Sequence, residues 1–511
     1  MRKPASHPQE SALSDPLNWQ VIICEAGCFD FLLPGITRAV DEVLRRQPAL
    51  DSLLGAGVRA ELAGLCLGRL RLLYERPILH AALERMRQDG GLPSSADDLN
   101  PLALRAAAEA VREDLLADGG TDLEAGAPLA REYEAAIVRN YVNALSEMFG
   151  RLLQKRTGIS SQLLNGNPFE HILGVADAGG DMHRHGRSAL RIQTEAGTFY
   201  YKPRPWGLDA LLEELVDCWF PGCVVVPHFV RGDDYSFAAE LATPASLDEE
   251  GLGEYWYHLG ALAALFHGVG SRDMTEDNIL CAGERPAVVD TEPLVAGGIV
   301  GLTKGCAELQ PSVLDSSLLP SPAGNTRRSP LTTDNESGSC LPKVEGTART
   351  IAGFEQAFMD GFAVGYRRLL QTRGQIAELL HQARDVPYRK VLLNTWTYVR
   401  ARAGLFSAAG LKNASWQERV VRGLWNRYGG PPAERRLALA RADVAALVEG
   451  DIPYYSALIG ELTLEGADPC SAIEGVLAES ALELACERLN MLDEAELRYE
   501  LEVIKSALGC C

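Results

Sequence analysis

The sequence predicts an α+β fold that is predominantly helical, on three observations. Long stretches toward both ends carry apolar residues at three- and four-residue spacing, as from Glu132 to Leu153. A block near the middle, from Ser188 to Leu241, switches to short β-branched and aromatic runs bounded by turn residues. No internal repeat organises the chain.

Residues 1–165 read as an N-terminal helical region, with Ile36 to Leu44 and Glu132 to Leu153 as its clearest helices and Gly119-Gly120 and Gly126 to Pro128 as breaks. The pattern changes at Phe169, and residues 166–245 read as a small β-rich lobe. Ser188 to Gln193 and Thr198 to Arg204 suit two strands joined through Glu195-Ala196-Gly197. Asp209 to Trp219 returns to helical spacing, and Cys223 to Val230 and Tyr235 to Leu241 are strand-like again. Residues 246–365 form a second lobe: a helix from Tyr255 to His267, a loop, and short strands at Ile279 to Cys281 and Ala287 to Asp290 around Gly283 to Pro286. Within it, 306–347 is rich in Ser, Pro, Gly and Thr and reads as a disordered insertion or an activation-type loop. Residues 366–511 read as a C-terminal helical region broken at Gly429-Gly430-Pro431-Pro432.

The chain has 511 residues, enough for about three domain-sized units or one elaborated enzyme. A hydrophobic content of 47% with 23% charged residues is that of a soluble globular protein. The net charge of -20 argues against general nucleic-acid binding, which needs a basic surface. The start has no apolar signal region, and runs such as Leu259 to Phe266 are too short to span a bilayer. A cytoplasmic protein without a membrane partner is therefore expected. The 12 cysteines are scattered; Cys24/Cys28 and Cys218/Cys223 lack zinc-site spacing, so free thiols are expected, with Cys510 and Cys511 in a solvated tail.

Three segments carry residues suited to phosphoryl transfer, which needs a cation on the phosphates, a carboxylate near the acceptor hydroxyl, and Asn and Asp ligands for magnesium. Lys202 sits on the strand Thr198 to Arg204, sharing a face with Tyr200 and Thr198. An ordinary exposed strand lysine has the same appearance. Glu213 or Glu214, on the following helix, is placed to pair with it, or is simply a solvated helix carboxylate. Asp273 and Asn278 lie five residues apart in a loop after a helix, and Asp290 follows at the end of Ala287-Val288-Val289. That order is the order of a catalytic aspartate, its companion asparagine and a metal-binding aspartate; common turn residues are the competing reading. The stretch Gly174 to Gly186 is a weak phosphate-loop signal without the Walker pattern.

With these residues in place, the chain resembles the dehydratase half of class II lanthipeptide synthetases, the LanM family, from about residue 130 to 465. The matching motifs are Gly180-Asp181-Met182-His183, Tyr201-Lys202-Pro203-Arg204, the loop Asp273 to Asn278, Asp290-Thr291-Glu292, Leu318-Leu319-Pro320, Gly361-Phe362 with Tyr366, Arg389 with Thr395, and Gly450 to Tyr454. The resemblance implies a two-lobed core related to lipid kinases, with added helical regions. It implies ATP and Mg2+ as cofactors and a precursor peptide with a leader as partner, with a separate cyclase or other tailoring enzyme beside it. Ser or Thr of the peptide would be phosphorylated, and phosphate then eliminated to dehydroalanine or dehydrobutyrine. On the family pattern Lys202, Asn278 and Asp290 hold ATP and magnesium and Asp273 is catalytic. Arg389 and Thr395 serve elimination, and Asp181 and His183 line the site. Arg389 and Thr395 are expected on the first C-terminal helix, less than two turns apart.

The sequence departs from the family at three points. The loop histidine is Thr275, which carries no proton charge near neutral pH; the nearby His267 is the residue that would compensate. The family's second arginine is Leu393. No zinc ligand set of a cyclase domain follows, so a stand-alone dehydratase is expected. Two other readings stand beside it: an enzyme with only the kinase or only the lyase step, and a leader-binding pseudokinase scaffold.

Overall fold

The computed structural model describes residues 19–92, 99–244, 246–300, 311–320, 329–332, 340–425, 431–466 and 472–509. It is 55% helical with 12% strand, so the α+β, predominantly helical expectation holds. Helices α1 (Trp19–Glu25), α2 (Leu33–Arg46), α3 (Pro48–Asp51), α4 (Val58–Gln88), α5 (Pro101–Asp118), α6 (Thr121–Gly126) and α7 (Ala130–Gln162) make the N-terminal part. The start of α5 shows how sequence sets a boundary. Asn100 accepts from the N–H groups of Leu102 and Ala103, and Pro101 occupies the first turn, where a missing donor costs nothing. The Tyr141 hydroxyl donates to Leu62 O at 2.6 Å, fastening α7 to α4.

Strands β1 (Ile172–Asp177), β2 (Leu190–Thr194), β3 (Gly197–Lys202), β4 (Phe229–Arg231) and β5 (Ser236–Ala239) form one antiparallel sheet in the order β1-β2-β3-β5-β4. The expected hairpin at 195–197 joins β2 to β3, with Thr194 opposite Gly197. Along β3, Phe199 and Tyr201 turn into the core while Thr198, Tyr200 and Lys202 share the other face. Cys223 to Val230 is not one strand: only its last two residues belong to β4. Pro227 supplies no N–H to a ladder, and Val225 instead bridges Ala287 through its N–H to Pro286 O at 2.9 Å.

Helix α8 (Gly207–Trp219) follows the sheet, and α9 (Glu249–Val269) begins the second half, capped by Asp248 on Gly251 N. Against α9 lies α10 (Glu355–Gln382), in backbone contact. A Cβ on Gly361 would sit 1.9 Å from Tyr257 O, and one on Gly260 2.0 Å from Phe358 O. Only glycine fits at these crossings, which accounts physically for the Gly361-Phe362 motif. Between the two helices run β6 (Ile279–Cys281), β7 (Pro286–Val288), β8 (Gly298–Ile299), β9 (Lys343–Val344) and β10 (Thr347–Ala348). The described parts of the Ser/Pro-rich stretch are packed: Val313, Leu318 and Leu319 are fully buried. The rest of 306–347 lies outside the described residues, as do Gly429-Gly430 and Cys510-Cys511.

The C-terminal part is not only helical. Helices α11 (Thr395–Leu405), α12 (Ser415–Leu424), α13 (Ala433–Val448), α14 (Ala481–Met491) and α15 (Glu494–Ala507) alternate with β11 (Pro387–Arg389), β12 (Ser456–Leu458), β13 (Leu464–Glu465), β14 (Ala472–Ile473) and β15 (Leu477–Glu479). The strands β11 to β14 make a four-stranded sheet, and β15 returns to pair with β8. Strands of two or three residues carry no readable alternation. No single helix among the described residues is long and apolar enough to cross a membrane. The bent pair Trp19–Glu25 and Asp30–Arg46 passes by length and composition together, but it buries Ile23, Ile36, Val40 and Val43 in the core. Eight described cysteines are free thiols, five of them buried.

Candidate functional site

One backbone position gathers the nucleotide candidates. The Lys202 ammonium, at the end of β3, donates to Val289 O at 2.5 Å. The N–H of Val289 donates to Asn278 O at 2.9 Å, and the next residue is Asp290. Lys202, Asn278 and Asp290 are therefore brought together at the C-terminal end of β7. Burial, with Arg204 alongside, lowers the Lys202 pKa.

Asp273 stands in the loop after α9, which Gly270 ends in a left-handed conformation. Asp273 is itself left-handed (φ 54°), uncommon for a residue with a side chain. The turn holds it there: Thr275 N–H donates to Asp273 O at 2.9 Å, and Asn278 Nδ2 donates to the same oxygen at 2.7 Å. With Nδ2 given to that carbonyl, Oδ1 of Asn278 is the atom a hard cation would take. Asp290 Oδ1 accepts from Glu292 N–H at 3.1 Å and faces Arg204 at 3.4 Å. Two oxygen donors, one a carboxylate, fit magnesium carried on nucleotide phosphates.

The helix carboxylates Glu213 and Glu214 do not reach Lys202. Both are exposed, and Glu213 faces Arg231 at 3.6 Å. The buried acid on α8 is Asp209, one turn nearer the sheet. It takes Arg204 at 2.7 and 3.2 Å and the Thr291 hydroxyl at 3.0 Å. Burial opposes its charge, but Arg204 and Lys202 outweigh that and its pKa is lowered. Sequence spacing offered a signal for this pair, an arginine five residues before an aspartate across a helix start, but no reason to prefer it over Glu213.

Glu292 joins this half to the second. Arg389 donates to its Oε2 at 3.3 Å and the Tyr454 hydroxyl to its Oε1 at 3.1 Å. Around the Tyr454 ring lie Arg184, 4.0 Å from the centroid, Arg389 at 5.4 Å, and the His183 ring at 5.3 Å. His183 Nδ1 pairs with Ile452 O at 2.7 Å, as the donor in the neutral tautomer, which leaves Nε2 with a lone pair. Burial and then Arg389 drive its pKa well below the usual histidine value, so the ring is neutral. Asp181 is exposed and acts on Arg389 and Arg402 through its charge. Gly186 of the glycine-rich stretch gives its N–H to Asp451 at 3.1 Å, so that amide has a protein acceptor.

Arg389 and Thr395 do not share a helix. Arg389 ends β11, opposite Ser456, whereas Thr395 is the first residue of α11. Asn394 caps that helix on Trp396 N at 2.8 Å, so the helix cannot extend back to Arg389. Nor does His267 stand in for the missing loop histidine: it is buried, with Nε2 3.2 Å from Glu496. Tyr454, Arg184 and Glu292 are residues of the quoted motifs, or beside them, to which the sequence assigned no role. Two surface cavities lie elsewhere, one lined by Lys155, Pro227, Phe229 and Arg231, the other by Glu214, Cys218 and Gln375.

A family described as Domain of unknown function (DUF4135) matches residues 128–335 and 325–457. No curated protein matches the chain significantly.

Proposed function

The chain belongs to the DUF4135 family, and we propose that it is an ATP-dependent dehydratase of Ser and Thr in a ribosomally made precursor peptide. The observation that carries this reading is the meeting of Lys202, Asn278 and Asp290 at Val289, with Arg389 two residues further on through Glu292. The resemblance to LanM dehydratases, with their lipid-kinase-like lobes, supports it. Binding alone does not need cation, amide, carboxylate and guanidinium side by side.

In the first reaction the hydroxyl of a peptide Ser or Thr attacks the γ-phosphorus of ATP, and ADP leaves. Asp273 lies beside the acceptor hydroxyl and takes its proton, and Lys202 neutralises phosphate charge. Magnesium, when bound at Asn278 and Asp290, supplies further charge on the phosphates. In the second reaction the Cα–H proton is removed, its electron pair forms the Cα=Cβ bond, and the Cβ–O bond breaks to release inorganic phosphate. Arg389 grips the leaving phosphate with paired N–H groups. His183, held neutral, lines the site beside it as a hydrogen-bond acceptor through Nε2, and Tyr454 holds Glu292 so that Arg389 is aimed. Thr395 adds a hydroxyl at the start of α11. Thr275 is buried and makes the turn through its backbone, and on this reading phosphoryl transfer does not require a histidine there.

Incubation with precursor peptide, magnesium and ATP tests this. The peptide is expected to lose about 18 Da per modified residue. A gain of about 80 Da without loss would leave only the kinase step. Leader binding with no nucleotide consumed would replace the enzyme by a scaffold.

A further inference from the structure

We propose that His267, Glu496 and Glu500 hold a divalent transition-metal ion of the zinc class, at a site separate from the nucleotide site. His267 closes the last turn of α9, six residues before Asp273. Glu496 and Glu500 are four residues apart on α15 and so share a face. One ligand atom from each of the three lies within 4.8 Å of the others. Zinc takes nitrogen and oxygen ligands at about 2.0–2.2 Å, which places tetrahedral ligand atoms roughly 3.4 Å apart. The His267 Nε2 to Glu496 Oε1 distance of 3.2 Å is already near that value.

The surroundings orient each group. The Tyr366 hydroxyl donates to Glu496 Oε2 at 2.6 Å. The Val313 N–H and the Ser312 hydroxyl donate to Glu500 Oε2 at 2.9 and 3.4 Å. Each carboxylate thus has one oxygen held by the protein and its Oε1 left for the cluster, the arrangement that orients metal ligands. The His267 ring is stacked on Tyr366 at 6.2 Å. Glu500 is wholly buried and His267 is 2% exposed. Even so, Glu500 Oε1 and His267 Nδ1 have no hydrogen-bond partner among the described residues. A buried carboxylate oxygen without a donor is costly, and a cation among these groups satisfies it. An imidazole nitrogen in the set favours zinc, cobalt or nickel over magnesium. The ion would tie α15 to the helix that leads into the Asp273 loop.

The test needs neither ATP nor peptide, so its outcome is independent of the proposed dehydratase activity. Full-length protein stripped with a chelator is titrated with Co(II) and then Zn(II), following the cobalt absorption bands and the melting temperature. One equivalent is expected to bind with a rise in Tm, without the thiolate charge-transfer band that cysteine ligands would give. Glu500→Gln and His267→Gln are expected to weaken binding at least about tenfold. Glu500→Gln keeps the side-chain size, so circular dichroism equal to the parent's would certify it as folded even if His267→Gln is not. Absence of stoichiometric uptake, uptake with the thiolate band, or parental affinity in folded Glu500→Gln would each overturn the proposal.

Discussion

Replacing Asp209 with alanine is expected to cost about 3–5 kcal/mol of stability, the usual result of removing one partner from a buried ion pair. The structure sets this magnitude by burial. Arg204 is 8% exposed and Asp209 1%, and the two are joined by hydrogen bonds of 2.7 and 3.2 Å. An exposed pair of the same geometry would be worth less than about 1 kcal/mol. Among the described residues the guanidinium without Asp209 keeps Pro205 O at 3.3 Å and Asp290 at 3.4 Å, while Thr291 loses its acceptor. Arg204 then draws on Asp290, so on the proposed function a fall in Mg-ATP affinity is expected as well. Urea unfolding at an unchanged m-value reads the first effect, and titration calorimetry with Mg-ATP the second. The double replacement Arg204→Met with Asp209→Leu removes both charges and is expected to recover most of the stability but not the nucleotide affinity. A single variant within about 1 kcal/mol of the parent, or a double variant less stable than the single, would refute the account of this pair.

Asp290→Asn is expected to abolish both phosphorylation and water loss in folded protein; dehydration at the parental rate in a peptide mass assay would remove Asp290 from the nucleotide site. Arg389→Ala takes one charged donor from Glu292 and from the leaving phosphate, about 1.5–3 kcal/mol per bond, so elimination should slow by roughly 10- to 150-fold or more. Phosphopeptide is expected to accumulate, as it is for Thr395→Ala, and a wholly unmodified peptide would assign these residues to binding instead. Burial raises the Asp443 carboxyl from 3.8 to about 7. The folded state then holds that proton more tightly than the unfolded one, so its contribution is complete below about pH 3.8 and is lost as pH rises toward 7. Asp451, raised to about 6, adds a slope of the same sign over a narrower range. Asp443→Asn should flatten the upper part of a Tm-against-pH curve, and an unchanged curve would count against the buried carboxyl.

The hairpin carrying Lys202, the helix α9 and the loop from Asp273 to Asn278 were legible because each has a local signal: turn chemistry, apolar spacing, or polar residues in a fixed order. What stayed hidden was set by distant chain. Nothing near Arg389 indicates a strand, since β11 exists only by pairing with β12, where Arg389 lies opposite Ser456. The preference of Arg204 for Asp209 over the glutamates beyond it depends on which face of α8 is buried against α10, and that is fixed by burial of Leu208, Leu211 and Leu212. His267 likewise read as a spare histidine beside the loop, because its partners Glu496 and Glu500 lie on the last helix.

The donors on Glu292 come late in the chain: Arg389 is 97 residues downstream and Tyr454 is 162. A ribosome adding about 5–20 residues per second needs roughly 5–20 s to reach the first and about 8–32 s to reach the second. During that interval a nascent chain already contains Lys202, Asn278 and Asp290, while Glu292 awaits both donors and β8 awaits β15. The residues that meet at Val289 are thus all present before either partner of Glu292, and β8 is present before the strand it pairs with.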